Sequence, residues 1–115
     1  MARVLVVDDE PDLRFLLRRL FEAQGYEVDE AVDGVAALER CRENAPDLVV
    51  TDGDMPRMDG GELIRQLREH GPTPLPVILW SVNPGKFEGA DRSFAKPYGG
   101  SEIVVTAEEL LAGEV

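Results

Sequence analysis

The most informative segment of this 115-residue chain reads Asp47-Leu48-Val49-Val50-Thr51-Asp52-Gly53-Asp54-Met55-Pro56. A short, continuous apolar run ends in Asp52, and Met58-Asp59-Gly60 follows as a turn. A run of this length and composition is typical of a strand that is buried on both faces of a parallel sheet. The pattern therefore places the Asp52 carboxylate at the carboxyl end of a buried strand, facing a crevice.

A second acidic group follows another apolar run near the start of the chain. Val4-Leu5-Val6-Val7 is followed at once by Asp8-Asp9-Glu10. If the two apolar runs are neighbouring parallel strands, three or four carboxylates meet at one edge of the sheet. Like charges at such short range repel strongly, so the sequence predicts that this cluster binds a divalent cation.

Composition and charge limit the classes of function. The length and a hydrophobic fraction of 43% predict one domain over residues 1–115 with a single core. A formal net charge of −11 argues against nucleic acid or an anionic membrane as a partner. The single cysteine, Cys41, excludes an internal disulfide and is expected to pack in a helix. Because we find no signal peptide and no membrane-spanning run, we expect a cytoplasmic protein. The chain ends just after its last predicted helix, so we expect no further domain.

Strand and helix patterns alternate along the chain. We predict strands over residues 3–8, 26–32, 48–51, 76–80 and 93–95. We predict helices from Pro11 to Gly25, from Gly34 to Asn44 after an Asp33 cap, from an Asp59 cap to a stop at Gly71-Pro72, and after a Ser101 cap. Such alternation favours a parallel sheet with helices on both sides.

Four strand ends together carry the groups needed for phosphoryl transfer. They are Asp8-Asp9, Asp52, Ser81 and Lys96. A cation, an ammonium and a hydroxyl can each take one oxygen of the phosphoryl group, while Asp52 attacks and forms an acyl phosphate. The chain has ten arginines and only two lysines, so a lysine at the predicted site is itself informative.

The chain resembles the receiver domain of two-component response regulators. The resemblance covers essentially the whole chain and rests on Asp8-Asp9, on Asp52 with Met55-Pro56 and Met58-Asp59-Gly60, on Val77-Ile78-Leu79-Trp80-Ser81, and on Phe94-Ala95-Lys96-Pro97. It implies a flavodoxin-like, doubly wound sheet of five parallel strands in the order 2-1-3-4-5. It also implies a signalling module that is not an enzyme beyond assisting its own phosphorylation and slow dephosphorylation.

The resemblance assigns a role to each site residue. It implies that Asp52 receives the phosphoryl group from a sensor histidine kinase or a histidine phosphotransfer protein. It implies Mg²⁺ held by Asp9, Asp52 and the backbone carbonyl of Asp54, with Asp8 acting through water. It further implies Ser81 and Lys96 as phosphoryl ligands, a cis Lys96-Pro97 bond, and output through binding of a partner protein that the sequence does not name.

Two departures from the family pattern concern the switch and the fourth crossover, the segment between the fourth and fifth strands. The switch position, three residues before the lysine, usually holds Tyr or Phe and here is Ser93. Phe94 is adjacent but points to the opposite face of the strand. Only fourteen residues separate Ser81 from Lys96, so we predict that residues 82–92 form a loop or at most one helical turn.

Loss of that helix has two predicted consequences. Trp80, helped by Phe87, is expected to cover the apolar surface that the helix would otherwise shield. The face that many receivers use for dimerisation is expected to be absent in its usual form, so we predict a monomer.

Three functional classes remain open. The first is a phosphorylated signalling receiver, and the second is a degenerate receiver that acts as a binding scaffold without phosphorylation. The third is a phosphatase of the haloacid-dehalogenase type, because Asp52-Gly53-Asp54 after an apolar strand also resembles the nucleophile motif of that family. That family carries its motif on the first strand, whereas here it follows the third.

Overall fold

A parallel five-stranded sheet forms the centre of the molecule. The structure is a computed structural model that describes residues 2–71 and 75–113. The strands are β1 (Arg3–Val7), β2 (Glu27–Ala31), β3 (Leu48–Thr51), β4 (Val77–Ser81) and β5 (Arg92–Ala95). Their order across the sheet is β2-β1-β3-β4-β5, and all neighbouring pairs are parallel. The predicted fold class and strand order are therefore confirmed.

Helices cover both faces of the sheet. They are α1 (Pro11–Ala23), α2 (Gly34–Glu43), α3 (Gly60–His70) and α4 (Gly100–Leu111). One core joins the sheet to α1 and α4 and includes Phe21, Trp80 and Ile103, and the other joins it to α2 and α3 and includes Leu5 and Leu63. The predicted single core is therefore wrong: two cores arise because side chains on a strand alternate between faces and both faces of the central strands are apolar.

The ends of α2 and α3 follow the sequence prediction. Asp33 accepts a hydrogen bond from the Ala36 N–H at 2.9 Å, and Asp59 accepts one from the Glu62 N–H at 2.9 Å. Both therefore satisfy a backbone donor at a helix start, as predicted. Pro72, which was expected to stop α3 together with Gly71, lies outside the described residues.

The predicted Ser101 cap of the last helix is wrong. Helix α4 already begins at Gly100, so Ser101 lies in its first turn, and Gly99 occupies the cap position with φ 93°. Only glycine adopts that left-handed conformation without strain. A β-carbon on Gly100 would lie 3.1 Å from Leu20 Cδ1, so the absence of a side chain there lets α4 start close to α1.

The fourth crossover contains one short turn, as predicted. Residues Pro84–Lys86 form a 3-10 turn, and β5 follows at Arg92. The prediction for Trp80 is wrong, because its ring is buried in the core beneath α1 and α4, on the opposite face from the crossover. The alternation along β4 determines this side, and the Trp80 Nε1 donates to the Tyr98 carbonyl at 2.6 Å. Phe87 does lie on the crossover side, as predicted.

The environment of Cys41 and the length and polarity of the helices complete the description of the fold. Cys41 is half-buried and packs against the core beneath α2 and α3, as expected. Across residues 2–71 and 75–113, the helices are too short or too polar to cross a membrane.

Candidate functional site

The carboxyl ends of four strands meet at one edge of the sheet. Val7 lies opposite both Ala31 and Thr51 in the register, so β2, β1 and β3 end at one level. The Asp52 N–H donates to the Val7 carbonyl at 2.8 Å and the Lys96 N–H donates to the Ser81 carbonyl at 2.9 Å. These backbone bonds carry the strand pairing one step beyond each strand. They bring the predicted residues Asp8, Asp52, Ser81 and Lys96 to one place.

The Lys96 ammonium is the centre of the site. Its Nζ lies 2.9 Å from Asp8 Oδ2, 3.2 Å from Asp52 Oδ2 and 3.1 Å from Glu10 Oε1. The Lys96 side chain is 3% exposed, and those of Asp8 and Asp52 are 2% and 6% exposed. The peptide bond between Lys96 and Pro97 is cis, as predicted. One buried ammonium thus links carboxylates from two strands.

The two buried carboxylates are hard to ionise together. Burial and the neighbouring Asp8 charge raise the pKa of Asp52 from 3.8 to about 6, although bonds from Lys96 and the Gly53 N–H oppose the change. Burial also raises the pKa of Asp8, against bonds from Lys96 and the Glu10 N–H. Burial tends to lower the pKa of Lys96, but its bond and attraction to Asp8 outweigh that effect, so the pKa is raised. The site therefore has more negative charge than Lys96 neutralises.

Four carboxylates offer oxygen atoms to a cation. Asp8, Asp9, Glu10 and Asp52 each place one such oxygen within 4.8 Å of the others. Carboxylate oxygens are the ligands that Mg²⁺ prefers, and Asp9 and Glu10 are exposed, which leaves room for water ligands. The donor set and the excess negative charge fit a divalent cation. The Asp54 carboxylate is exposed and pairs with Lys86 at 3.1 Å, and the ligand role of the Asp54 backbone carbonyl stays a prediction.

Glu10 belongs to the acidic group that the sequence predicts at this edge, but the sequence gives it no role of its own in the site. It could be read as an acid that favours the start of α1, because helix N-termini attract negative charge. In the structure it is the residue before α1, and its carboxylate reaches Lys96 instead. Its position directly after Asp8-Asp9 was the available signal.

Ser81 and Ser93 occupy contrasting environments. Ser81 is fully buried, and its Oγ accepts a hydrogen bond from the Asn83 N–H at 3.3 Å, which leaves its own hydroxyl hydrogen for another acceptor. Ser93 is exposed and lies opposite Leu79 in the register. Phe94 packs against the core beneath α1 and α4. Residues 93 and 94 thus point to opposite faces, and Ser93 places no aromatic ring at the predicted switch position.

Phe87 is an aromatic residue that packs next to Asp52 from the fourth crossover. A β-carbon built on Gly53, which follows Asp52 directly, would lie 2.2 Å from Phe87 Cε2, and one built on Gly61 would lie 3.2 Å from Phe87 Cδ1. The Phe87 ring therefore packs against two glycines, one in the loop after β3 and one in the first turn of α3. It therefore holds the fourth crossover against the loop that follows Asp52.

Replacement of Gly53 by alanine is expected to destabilise the folded state. The added methyl group overlaps the Phe87 ring, and overpacking of this kind costs about 1–3 kcal/mol. Urea unfolding of Gly53→Ala should show the loss, and the double variant Gly53→Ala/Phe87→Leu should recover part of it. A Gly53→Ala protein as stable as the wild type would show that Phe87 does not pack closely on this glycine.

Together, sheet order and site geometry define a class: a doubly wound α/β domain with an acidic cluster and a buried lysine at the carboxyl edge of its sheet. The chain belongs to the response regulator receiver domain family, whose profile matches residues 4–108. This confirms the family that the sequence resembles.

Known relatives agree with this membership. Response regulator MprA from Mycobacterium sp. strain KMS is 40% identical over 117 residues, which cover 96% of this chain and 50% of that protein. Response regulator TrrA from Thermotoga maritima, solved in complex with Mg(2+)-BeF, superposes with a TM-score of 0.86 at 31% identity over 96% of this chain and 99% of that one. Chemotaxis response regulator CheY4 of Vibrio cholerae superposes with a TM-score of 0.84 at 28% sequence identity. The superposition covers 96% of this chain and 98% of that one. The chain spans about half the length of the curated relatives it matches.

Proposed function

We propose that this domain is a phosphorylation-dependent signalling receiver whose phosphoacceptor is Asp52. Membership of the receiver family supports phosphorylation-dependent signalling in general. The observation that carries the specific assignment is the contact of Asp52 with Lys96, which also holds Asp8. A buried carboxylate beside an ammonium and further acids is suited to attack phosphorus. It is poorly suited to stabilise the fold, because its pKa is raised rather than lowered.

The proposed step transfers a phosphoryl group from a histidine to Asp52. A carboxylate oxygen of Asp52 attacks the phosphorus, the phosphorus–nitrogen bond of the donor breaks, and the imidazole leaves with the electron pair. The product is an acyl phosphate. Lys96 and the free hydroxyl hydrogen of Ser81 are the proposed ligands of the phosphoryl oxygens, where the negative charge spreads during transfer. The donor is a sensor histidine kinase or a histidine phosphotransfer protein.

Mg²⁺ is the proposed cofactor. Asp9, Asp52 and the backbone carbonyl of Asp54 would hold it, and Asp8 would contribute through water. The ion would neutralise charge that Lys96 alone leaves uncompensated, and it would stabilise negative charge on the phosphoryl oxygens. The Mg(2+)-BeF complex of the similar protein TrrA supports this assignment. Glu10 joins the proposed set because its carboxylate belongs to the same cluster.

Output is proposed to pass to a partner protein and not through catalysis by this domain. The exposed Ser93 offers no aromatic side chain that could report the state of Asp52 through β5. We therefore infer that phosphorylation is read at the loop after β3 and the fourth crossover, which meet at Phe87. We further infer that the domain acts as a monomer, because a 3-10 turn of three residues replaces the helix of the usual dimer face.

The Asp9→Asn variant is expected to lose both Mg²⁺ binding and phosphorylation. Asp9 is exposed and outside the contacts of Lys96, so its removal takes one metal ligand away and leaves the buried ion pairs in place. Calorimetric titration with Mg²⁺ and phosphorylation at several Mg²⁺ concentrations measure the two effects. Uptake of phosphate by Asp9→Asn with the wild-type Mg²⁺ dependence would show that the ligand assignment is wrong.

One assay separates the receiver from the two alternatives. The protein is incubated with acetyl phosphate and Mg²⁺, and its mass and the released inorganic phosphate are followed together. A stable gain of one phosphoryl group supports the receiver. Continuous release of phosphate over many turnovers would identify a phosphatase, and an unchanged mass with no release would identify a scaffold that works without phosphorylation.

A further inference from the structure

The second lysine of the chain lies next to the loop that follows Asp52. The chain contains only Lys86 and Lys96, and both pair with carboxylates of the acidic edge. Lys86 belongs to the 3-10 turn of the fourth crossover, and its Nζ lies 3.1 Å from Asp54 Oδ1. Both side chains of this pair are more than half exposed. The pair is therefore a solvent-exposed part of the loop after β3, and Asp54 lies two residues from the proposed phosphoacceptor Asp52.

The Phe87 ring fixes where Lys86 can reach. Phe87 packs against Gly53 and Gly61, so the crossover is held against the loop after β3. The Lys86 ammonium lies 5.5 Å from the centre of the same ring, within the range of a cation–π contact. A short crossover anchored by an aromatic side chain thus keeps a positive charge above this loop. A free surface lysine would spend little time there.

The charge of Lys86 matters because the site is strongly acidic. Asp8, Asp9, Glu10 and Asp52 form the cluster, and the exposed Asp54 follows Asp52 by two residues. Lys96 pairs with Asp8, Glu10 and Asp52, and Lys86 pairs with Asp54, so the two lysines pair with four of these five carboxylates. An anionic phosphodonor that approaches from solvent meets the excess negative charge first. Lys86 is an exposed cation next to the loop that follows Asp52.

We propose that Lys86 is a specificity-determining residue that sets the potential at the mouth of the site and admits small anionic phosphodonors to Asp52. This inference rests on the proposed function. With acetyl phosphate as donor, Asp52 attacks the phosphorus, the bond from phosphorus to the bridging oxygen breaks, and acetate leaves with the electron pair. Loss of Lys86 should slow this reaction, because the donor is an anion. The same loss should strengthen Mg²⁺ binding, because the ion is a cation.

These opposite effects distinguish an electrostatic role of the Lys86 side chain from a purely structural one. The test compares Lys86→Gln with the wild type, with Lys86→Arg, and with Arg92→Gln. Arg92 is exposed and is the first residue of β5, at the opposite end of the strand from the site. Arg92→Gln therefore removes one positive charge far from the site. The measurements are the second-order rate of phosphorylation by acetyl phosphate and, without any phosphodonor, the dissociation constant of Mg²⁺ by calorimetry.

For Lys86→Gln at low salt we expect a rate about threefold lower and a Mg²⁺ dissociation constant about threefold smaller. Both differences should vanish near about 1 M salt, because the Debye length there is about 3 Å and charges further apart are screened. Lys86→Arg and Arg92→Gln should match the wild type. The proposal is overturned if Lys86→Gln has the wild-type phosphorylation rate and the wild-type Mg²⁺ affinity. It is also overturned if the variant is phosphorylated more slowly and binds Mg²⁺ more weakly at every salt concentration. A wild-type protein that accepts no phosphoryl group would instead overturn the proposed function, while the Mg²⁺ titration would still test the role of Lys86.

Discussion

Replacement of Lys96 by methionine is expected to lower the free energy of unfolding by about 3–5 kcal/mol at neutral pH. The variant removes the ammonium that contacts Asp8 and Asp52, whose side chains are 2% and 6% exposed. Two buried carboxylates are then left without their common partner. The loss should shrink as the pH falls toward 5, because protonation of Asp52 and Asp8 removes the uncompensated charge.

Lys86→Met is the matched control for this experiment. It deletes the other lysine of the chain, whose ion pair with Asp54 is exposed on both sides, and exposed pairs contribute about 0–1 kcal/mol. Urea unfolding monitored by Trp80 fluorescence at pH 5 and pH 7.5 measures both variants. Adding Asp52→Asn to Lys96→Met should restore part of the lost stability, because one buried charge is gone. Equal stability of the two lysine variants would contradict the geometry of the site.

Replacement of Asp52 by asparagine is expected to abolish phosphorylation and to stabilise the folded state by about 1–3 kcal/mol at neutral pH without Mg²⁺. The pKa of Asp52 is about 6 in the folded state against 3.8 for the free group, so the folded state binds this proton more tightly than the unfolded chain does. The stability of the wild type therefore falls as the pH rises from about 4 to about 6 and stays low above that range. Asparagine carries no such charge.

The sign of the pH dependence makes this prediction testable. The difference in free energy of unfolding between Asp52→Asn and the wild type should be near zero at about pH 4 and largest at pH 7. Saturating Mg²⁺ should stabilise the wild type more than the variant and narrow the difference. A variant that is less stable than the wild type at pH 7 in the presence of a chelator would show that Asp52 supports the fold. Such a result would remove the physical reason for assigning it a functional role.

Much of the fold and of the site follows from local sequence patterns. The apolar runs before Asp8 and Asp52 are long enough for strands and too short for helices, and the parallel arrangement then brings both acids to one edge. Lys96 could be placed there because it follows the last predicted strand. The length of chain between Ser81 and Lys96 was enough to predict that the fourth crossover holds no long helix.

What the sequence could not predict depends on contacts between distant segments. The Glu10 carboxylate binds Lys96, which is 86 residues away in the sequence. No local pattern shows that this carboxylate contacts Lys96 and not the backbone N–H groups at the start of α1. Phe87 looked like a cover for bare apolar surface, and its position against Gly53 and Gly61 appears only once β3 and the crossover are packed together. Trp80 was assigned to the wrong face because the prediction considered its size and not the strand alternation that fixes its direction.

The most direct test of the central claim is to locate the phosphoryl group. Wild-type protein is treated with acetyl phosphate and Mg²⁺, the acyl phosphate is trapped by reduction with borohydride, and the modified residue is identified by peptide mass spectrometry. We expect one modification per chain, at Asp52, that requires Mg²⁺ and is missing in Asp52→Asn. Modification of another residue, or a yield that is unchanged in Asp52→Asn or without Mg²⁺, would contradict it.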